Sequence, residues 1–410
     1  MAIFEKGNAV IGQSGGPTCA INATLAGVIR GCLAANGIDK IYGMRNGVEG
    51  LLREDFIDIN SYFSGPRDKS LELLAATPGC ALGSCRKKVT ENDIESILAI
   101  LEKYEIRYFF YIGGNDSMDA VAKLSAYADA HPECYSVNFI GVPKTIDNDL
   151  VLTDHTPGFG SAAKYIAVSM QEIMRDVAVY TTKAVTIVEI MGRDSGWLTA
   201  ASALTSHLCG IGPDLIYLPE VPFDNAEFIE SVKSKLEENN FVVVAVSEGI
   251  KDKDGAYAAE AAMNGVTDTF GHKYLSGTGK YLENLVRSEI GCKVRSVELN
   301  ILQRCASHVA SKTDIEESLK IGDSAVRHAV MGETGKMAVL RRSSGNDGYS
   351  CDVGVDDVRD IANKIKKVPK TFIDIENHTV TDKCIEYILP LIQGEYPSQY
   401  EDGLPVHFVF

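Results

Sequence analysis

Apolar residues occur along this chain in two kinds of pattern. Six short runs are predominantly apolar, which is typical of strands buried on both faces of a sheet: residues 9–11, 108–112, 139–142, 185–190, 215–218 and 241–246. Most of these runs are followed by Gly, Pro or Asp and then by a segment with helical spacing. Repeated units of strand, turn and helix predict an α/β fold with a doubly wound parallel sheet.

Helical spacing is clear after the first two of these runs. One predicted helix places on a single face Ile21, Leu25, Val28, Ile29 and Cys32. The other places on a single face Met118, Val121, Leu124 and Ala128. Residues three or four apart share one side of a helix, so each helix has one face to bury. Ligands of such folds bind beyond the carboxyl ends of the strands, and we expect functional residues in the turns there.

Composition and charge narrow the class of protein. The chain has 410 residues, 45% hydrophobic and 23% charged, a globular composition with room for roughly two to three domains. It has 40 Lys and Arg residues against 56 Asp and Glu residues, giving a formal net charge of −16. Nucleic acids and anionic membranes attract basic surfaces, so neither is an expected partner.

No targeting or membrane-spanning segment is predicted. Glu5 and Lys6 interrupt the apolar N-terminus, and no stretch reaches the roughly 18 apolar residues of a membrane span. The ten Cys residues form no CxxC pair and have no zinc-ligand spacing with His. Reduced thiols in a cytoplasmic protein are therefore expected.

Two of the turns after strands combine Gly with groups that bind anions or metals. Residues 12–18 let backbone N–H groups approach an anion at the start of a helix, although a tight turn alone also requires Gly. Residues 112–118 place two glycines before Asn115 and Asp116, whose oxygens suit Mg²⁺. A helix cap formed by Asn or Asp explains the same two residues.

The third turn is more specific. Pro143 follows a strand and precedes Lys144, Thr145, Asp147 and Asp149. Alternation along an extended segment aims Thr145, Asp147 and Asp149 to the same side. Phosphoryl transfer to an alcohol needs a carboxylate that takes the hydroxyl proton, beside a cation and a metal-binding carboxylate. This turn therefore predicts phosphoryl transfer.

Further arginines and a glutamate follow other strands. Residues 189–196 lead from a strand to a helix and contain Arg193, whose planar guanidinium can bind a phosphate in a fork. Glu248 follows two residues after the last of the six apolar runs, and Arg295 and Arg304 come later. A surface ion pair would explain each arginine taken singly. Together they indicate a site for two anionic ligands.

In order and spacing, these motifs resemble those of the 6-phosphofructokinases. They are SGGPTCAIN at 14–22, GGNDS at 113–117, PKTIDND at 143–149, MGR at 191–193 and LQR at 302–304, together with Glu248. The resemblance covers about residues 10–340 and is most specific in PKTIDND and MGR.

The resemblance implies roles for the residues at the reacting centre. Asp147 corresponds to the general base that takes the proton from the 1-hydroxyl of fructose 6-phosphate. Thr145 corresponds to a contact with the sugar or with the transferring group. Asn115 and Asp149 correspond to residues that hold Mg²⁺ on the donor phosphates.

The resemblance also implies a sugar-phosphate site. The sugar and the transferring group would be lined by Met191, Gly192 and Arg193. Glu248 would accept hydrogen bonds from sugar hydroxyls, and Arg295 and Arg304 would clamp the 6-phosphate. One such arginine comes from the neighbouring subunit in this family, which implies a homodimer or homotetramer.

Two positions indicate which phosphoryl donor is used. ATP-dependent members typically have Gly at both, where this chain has Asp116 and Lys144. Asp116 would crowd and repel the α-phosphate of a nucleotide, because like charges about 4 Å apart cost about 4 kcal/mol at an effective dielectric of about 20. Lys144 would instead balance the charge of pyrophosphate, which would lie against Gly15 and be bridged by Arg86.

The predicted reaction is therefore a reversible, Mg²⁺-dependent transfer from pyrophosphate to fructose 6-phosphate, which gives fructose 1,6-bisphosphate and phosphate in glycolysis or gluconeogenesis. An ATP-dependent phosphofructokinase and a non-catalytic sugar-phosphate-binding subunit are the alternatives. A dinucleotide-dependent oxidoreductase is disfavoured, because no GxGxxG with a following acidic residue occurs at the first strand.

Two residues depart from the family pattern. Asn115 stands where most members have Asp, which predicts looser or water-mediated binding of Mg²⁺. Ile301 replaces a His or Tyr that contacts the sugar phosphate. Sedoheptulose 7-phosphate remains open as a second acceptor.

The architecture implied is two doubly wound, Rossmann-like domains of the phosphofructokinase fold, with the active site in the cleft between them. The donor domain is expected at residues 1–158 and about 303–345, and the sugar-phosphate domain at 159–302. Residues 346–410 are expected to form a C-terminal extension that packs on the core. Residues 251–279 interrupt the alternation and suggest a surface insertion.

Overall fold

Strands and helices alternate through most of the computed structural model, which describes residues 6–179, 181–259, 277–345 and 348–410. The strands are β1 (Gly7–Gln13), β2 (Ile38–Met44), β3 (Phe56–Asp58), β4 (Ile106–Gly113), β5 (Asn138–Pro143), β6 (Ala184–Ile190), β7 (Leu215–Tyr217), β8 (Phe241–Ser247), β9 (Lys293–Glu298), β10 (Lys336–Gly345), β11 (Gly348–Asp357), β12 (Ile373–Asp374), β13 (Thr379–Val380), β14 (Tyr400–Glu401) and β15 (Leu404–Pro405). The helices are α1 (Ile21–Ala34), α2 (Gly47–Leu52), α3 (Ser70–Ala76), α4 (Glu91–Lys103), α5 (Asn115–Ala130), α6 (Phe159–Val177), α7 (Trp197–Ala200), α8 (Leu204–Cys209), α9 (Asn225–Glu238), α10 (Thr278–Glu289), α11 (Leu302–Cys305), α12 (Lys312–Val330) and α13 (Asp382–Ile388).

The first sheet has seven strands in the order β11-β10-β5-β4-β1-β2-β3. The five inner strands are parallel, whereas β3 and β11 pair antiparallel at the two edges. Successive residues of β4 point to opposite faces, so Phe110 packs with α1 and α12 while Phe109 packs with α4 and α5. The continuous apolar run of β4 therefore supplies two cores at once.

The second sheet has four parallel strands in the order β7-β8-β6-β9. Val188 on one face of β6 packs with α6 and α7, and Ile187 on the other face packs with α9 and α10. All six strands predicted from the apolar runs are present, as is the predicted α/β class with helices on both faces of a parallel sheet.

Several strands were not expected from the pattern. β9 lies at the edge of its sheet, so some of its residues face solvent, and charged residues interrupt its apolar pattern. β11 pairs with β10 along its whole length, from Gly348 opposite Gly345 to Asp357 opposite Lys336. The segment expected as a C-terminal extension at 346–410 therefore contributes an edge strand, β11, to the first sheet.

Residues 358–410, which follow β11 and are called the C-terminal segment below, contact the parts of the chain beside both sheets. Phe408 stacks on Phe63 beside the first sheet, and Tyr387 packs against Trp197 beside the second. Most of the surface insertion predicted at 251–279 lies outside the described residues. No helix among the described residues is both long and apolar enough to cross a bilayer. The cysteines whose side chains are described are free thiols.

Candidate active site

A cavity of about 470 Å³ opens at the carboxyl ends of β1, β4, β5, β6 and β8. Its walls are the turns that follow these strands, including residues 14–18, 114–117, 144–147 and 193–195. Strands of both sheets end at this cavity, so the turns singled out from the sequence converge on one cleft. This placement is the one expected for a ligand site in a doubly wound fold.

Most of the predicted site residues line this cavity: Gly15, Arg86, Asn115, Asp116, Lys144, Thr145, Asp147, Asp149, Met191, Arg193, Glu248 and Arg304. Gly192 stands directly behind the wall, with a φ of +134° that favours glycine, and its N–H donates to Glu248 Oε1 at 3.2 Å. In the described part of the chain, Gly192 and Arg295 are the two predicted residues outside the cavity lining.

Arg295 stands apart from the other predicted arginines. It is exposed on the edge strand β9 and pairs with Thr186, whereas the cavity lies beyond Ile190 at the end of β6. Thr186 and Ile190 are four residues apart along β6, which corresponds to about 13 Å. Within one chain, the fold therefore does not bring Arg295 together with Arg304.

The turn after β5 presents its carboxylates to the cavity in the alternating manner that the sequence predicts. Thr145, Asp147 and Asp149 are partly exposed, whereas the intervening Ile146 and Asn148 are buried. The Asp147 N–H donates to Thr145 Oγ1 at 3.1 Å, which tightens the turn between them. Asp147 and Asp149 therefore face the same space.

These two carboxylates strongly affect each other. Burial and the neighbouring Asp149 raise the pKa of Asp147 to about 7, against the opposing effect of Arg193, Lys144 and Arg304. Burial likewise raises the pKa of Asp149. A carboxylate with a pKa near neutrality is suited to exchange a proton with a substrate hydroxyl.

Oxygen atoms suited to a divalent cation lie beside Asp149. Asn115 is the first residue of α5, and its Nδ2 donates to Asp149 Oδ2 at 3.5 Å. Asn115 Oδ1 is buried and has no hydrogen-bond partner among the described residues. An unpaired amide oxygen next to a carboxylate is a ligand set that fits Mg²⁺.

The amine of Lys144 stands against the turn after β1. Its Nζ donates to the Gly16 carbonyl at 2.6 Å, and a β-carbon added to Gly15 would lie 3.3 Å from that amine. Gly15 has a φ of +75°, so a side chain there would be strained as well as crowded. Burial lowers the pKa of Lys144 to about 8, which leaves the amine largely protonated at neutral pH.

Asp116 lies in the first turn of α5 and borders the same cavity. Its side chain is 38% exposed, and one carboxylate oxygen lies 3.6 Å from the Lys88 amine. Solvent and this ion pair screen the charge of Asp116. Its repulsion of a nucleotide α-phosphate would therefore be smaller than the sequence alone suggests.

Glu248, Arg193 and Arg304 line another part of the same cavity. Burial raises the pKa of Glu248 to about 8, so its carboxyl is mainly protonated at neutral pH and can donate as well as accept a hydrogen bond. The Nε atoms of Arg193 and Arg304 are buried without a hydrogen-bond partner among the described residues. A β-carbon added to Gly16 would lie 3.1 Å from Arg304 Nη1, so Arg304 reaches the donor turn as well.

The sequence reasoning missed the contribution of the C-terminal segment. Asn363 and Ile365 line the cavity beside α5, and Asn363 Nδ2 donates to Asp119 Oδ1 at 2.9 Å. Neither residue belongs to a motif, and both lie beyond residue 340, where the family resemblance ends. Their sequence carries no local signal that could have placed them here.

Comparison with known proteins agrees with this geometry. The family described as phosphofructokinase matches residues 8–329. The pyrophosphate–fructose 6-phosphate 1-phosphotransferase of Xanthomonas campestris is 43% identical, covering 98% of this chain and 96% of the relative, and that of Halomonas elongata is 39% identical, covering 97% and 94%. The crystal structure of the pyrophosphate-dependent phosphofructokinase from Nitrosospira multiformis superposes with a TM-score of 0.86 at 38% identity, covering 98% of this chain and 95% of that one. The chain belongs to the phosphofructokinase family.

Proposed function

We propose that this protein transfers a phosphoryl group reversibly from pyrophosphate to the 1-hydroxyl of fructose 6-phosphate. The observation that carries the proposal is the Lys144 amine, which stands against the Gly15–Gly16 turn in the cavity that holds Asp147. The relatives named as pyrophosphate–fructose 6-phosphate 1-phosphotransferases support the same donor and acceptor. The products are fructose 1,6-bisphosphate and inorganic phosphate.

Asp147 is the general base of the forward reaction. It takes the proton of the 1-hydroxyl as the new oxygen–phosphorus bond forms, and the bond between that phosphorus and the bridging oxygen of pyrophosphate breaks. In the reverse reaction the protonated carboxyl returns the proton to the leaving sugar oxygen. A pKa of about 7 suits both directions, because neither protonation state is strongly disfavoured near neutral pH.

Lys144 and Asp116 select the donor. The Lys144 amine supplies a point charge for the phosphate that leaves, at the place where the backbone of Gly15 permits close approach. Asp116 occupies the start of α5, which an α-phosphate would otherwise approach. Arg86 lines the same end of the cavity and bridges the donor phosphates.

Asn115 and Asp149 are the residues that would hold Mg²⁺. When bound, the ion would neutralise charge on the donor phosphates. A single carboxylate with a neutral amide binds less tightly than two carboxylates. The chain therefore relies on the donor phosphates themselves for the remaining ligands.

The sugar phosphate is bound on the side of the second sheet. Met191 and Arg193 line that wall, Thr145 contacts the sugar or the transferring group, and Glu248 exchanges hydrogen bonds with sugar hydroxyls. Arg304 binds the 6-phosphate, and the exposed Arg295 is offered to the site of a neighbouring subunit in a homodimer or homotetramer. Residues 1–158 with about 303–345 form the donor domain in this proposal, and residues 159–302 form the sugar-phosphate domain.

ATP is the second candidate donor, because the ion pair between Asp116 and Lys88 weakens one barrier to a nucleotide. The test is an assay of the purified chain with fructose 6-phosphate and Mg²⁺, offered pyrophosphate in one reaction and ATP in another. We expect fructose 1,6-bisphosphate with pyrophosphate and little or none with ATP. Turnover with ATP alone would overturn the donor assignment, and binding of fructose 6-phosphate without turnover of either donor would identify a regulatory subunit.

A further inference from the structure

Lys366, in the C-terminal segment, contacts the loop that carries Asp147 and Asp149. Its Nζ donates to Asn148 Oδ1 at 3.0 Å and to the carbonyls of Thr153 at 3.2 Å and Asp154 at 2.7 Å. Its backbone N–H donates to the Asp149 carbonyl at 2.7 Å. One residue therefore makes four hydrogen bonds to residues 148–154.

The carbonyl of Lys366 contacts the other half of the molecule. It accepts from Ser195 Oγ at 3.2 Å and from Trp197 Nε1 at 3.1 Å. Ser195 lies with Arg193 in the turn after β6, and Trp197 is the first residue of α7, which follows that turn. Lys366 thus connects the loop of Asp147 with the turn of Arg193, and the two face each other across the cavity.

The loop needs such support because part of its backbone is in a costly conformation. Asn148 has a φ of +52° and Leu152 a φ of +62°, in the left-handed region that residues other than glycine seldom adopt. The Asn148 side chain is held from both ends, because Oδ1 accepts from Lys366 and Nδ2 donates to Tyr387 Oη at 3.0 Å. Both partners come from the C-terminal segment.

The geometry points to Lys366 as a positioning residue that fixes Asp147 and Asp149 relative to Arg193. Lys366 does not itself line the cavity, and it acts through its contacts with Asn148, the Asp149 carbonyl and the Ser195 hydroxyl. The inference rests on the proposed function, since the base it positions is the one assigned there. It gives the C-terminal segment a role in turnover.

The test compares Lys366→Met with Lys364→Met in the full-length chain. Lys364 is 54% exposed and pairs with Asp360, so its variant is a matched control. We expect Lys366→Met to lower kcat by about 10- to 100-fold, the usual cost of a displaced catalytic group, with little change in KM for fructose 6-phosphate. Lys364→Met should keep the parent kcat, and a Lys366→Met variant with parent kcat would overturn the inference.

Two further measurements separate positioning from general destabilisation. Hydrogen exchange should rise in residues 147–154 of Lys366→Met while helix α12 stays as protected as in the parent. Adding Lys366→Met to Asp147→Asn should lower kcat by a smaller factor than Lys366→Met does in the parent, because the base to be positioned is already gone. Exchange that is unchanged in the loop, or raised equally in α12, would contradict the inference even if the chain uses a different phosphoryl donor.

Discussion

Replacing Asp147 by Asn is the most direct perturbation of the chemistry proposed for this site. Asn keeps the shape of the side chain and the hydrogen bond from the Asp147 backbone to Thr145 Oγ1, but it cannot accept a proton. It also removes one of two neighbouring carboxylates, which relieves the repulsion that contributes to the raised pKa of Asp147. The fold should therefore tolerate the change.

The expected loss in kcat follows from the role of a positioned base. Such groups contribute a factor of about 10² to 10⁴, which corresponds to about 3 to 5 kcal/mol of activation free energy. KM for fructose 6-phosphate should change little, because Arg193, Glu248 and Arg304 remain in the wall. A loss of kcat without a loss of sugar binding would place Asp147 in the transition state.

The pH dependence gives an independent readout. Asp147 acts when deprotonated, so kcat/KM of the parent should fall as pH drops through its raised pKa of about 7. The groups that face it are Asp149, Lys144, Arg193 and Arg304, and Asp147→Asn should remove this acid limb while leaving the effects of the others.

The assay measures fructose 1,6-bisphosphate formation from pyrophosphate at pH 5.5 to 9, a range of about 1.5 to 2 units on either side of neutrality. Asp352→Asn is the matched control, because Asp352 is 85% exposed and pairs only at the surface with Lys320. Near-parent kcat in Asp147→Asn, or an acid limb in it with the same midpoint as in the parent, would refute the assignment of the base.

Substitutions at two other residues test features of the structure that do not involve the general base Asp147. His155 is buried between Asp154 and Glu317, with nitrogen–oxygen distances of 2.9 and 2.6 Å; burial lowers its pKa, but these hydrogen bonds outweigh burial and raise it. The resulting stabilisation is present below the pKa of about 6.5 that His has in the unfolded chain, and it is lost as pH rises through the raised pKa of the folded state. His155→Gln should therefore lower the free energy of unfolding by about 3 kcal/mol at pH 6 and by less at pH 9, measured by urea unfolding. An equal cost at both pH values would show that His155 is uncharged. Asn115→Ala should raise the Mg²⁺ concentration needed for half-maximal kcat and Asn115→Asp should lower it, and an unchanged requirement in both variants would remove Asn115 from the metal site.

Local sequence was sufficient wherever one short segment determines both conformation and function. The apolar runs of β4 and β8 are buried on both faces, so their pattern is unbroken and they were predicted. The PKTIDND turn presents Thr145, Asp147 and Asp149 to one side because partly exposed and buried residues alternate along it in the folded chain. The placement of most motif residues could be predicted because their motifs directly follow the end of one strand.

Features that depend on distant parts of the chain could not be predicted. β9 and β11 lie at sheet edges, where exposed polar residues hide the strand pattern. Asn363 and Lys366 reach the site only because the segment after β11 crosses from the first sheet to the second. The ion pair of Asp116 with Lys88 joins residues of different turns, so the sequence overstated the charge that a donor would meet.

We propose that Lys144 and Asp116 make pyrophosphate the donor. The most direct measurement is the ratio of kcat/KM for pyrophosphate to kcat/KM for ATP, compared between the parent and the double variant Asp116→Gly with Lys144→Gly. We predict a ratio far above one in the parent that falls in the variant, because the amine for pyrophosphate is lost and space for an α-phosphate is opened. A parent that uses both donors equally well, or a variant with the parent ratio, would contradict the claim.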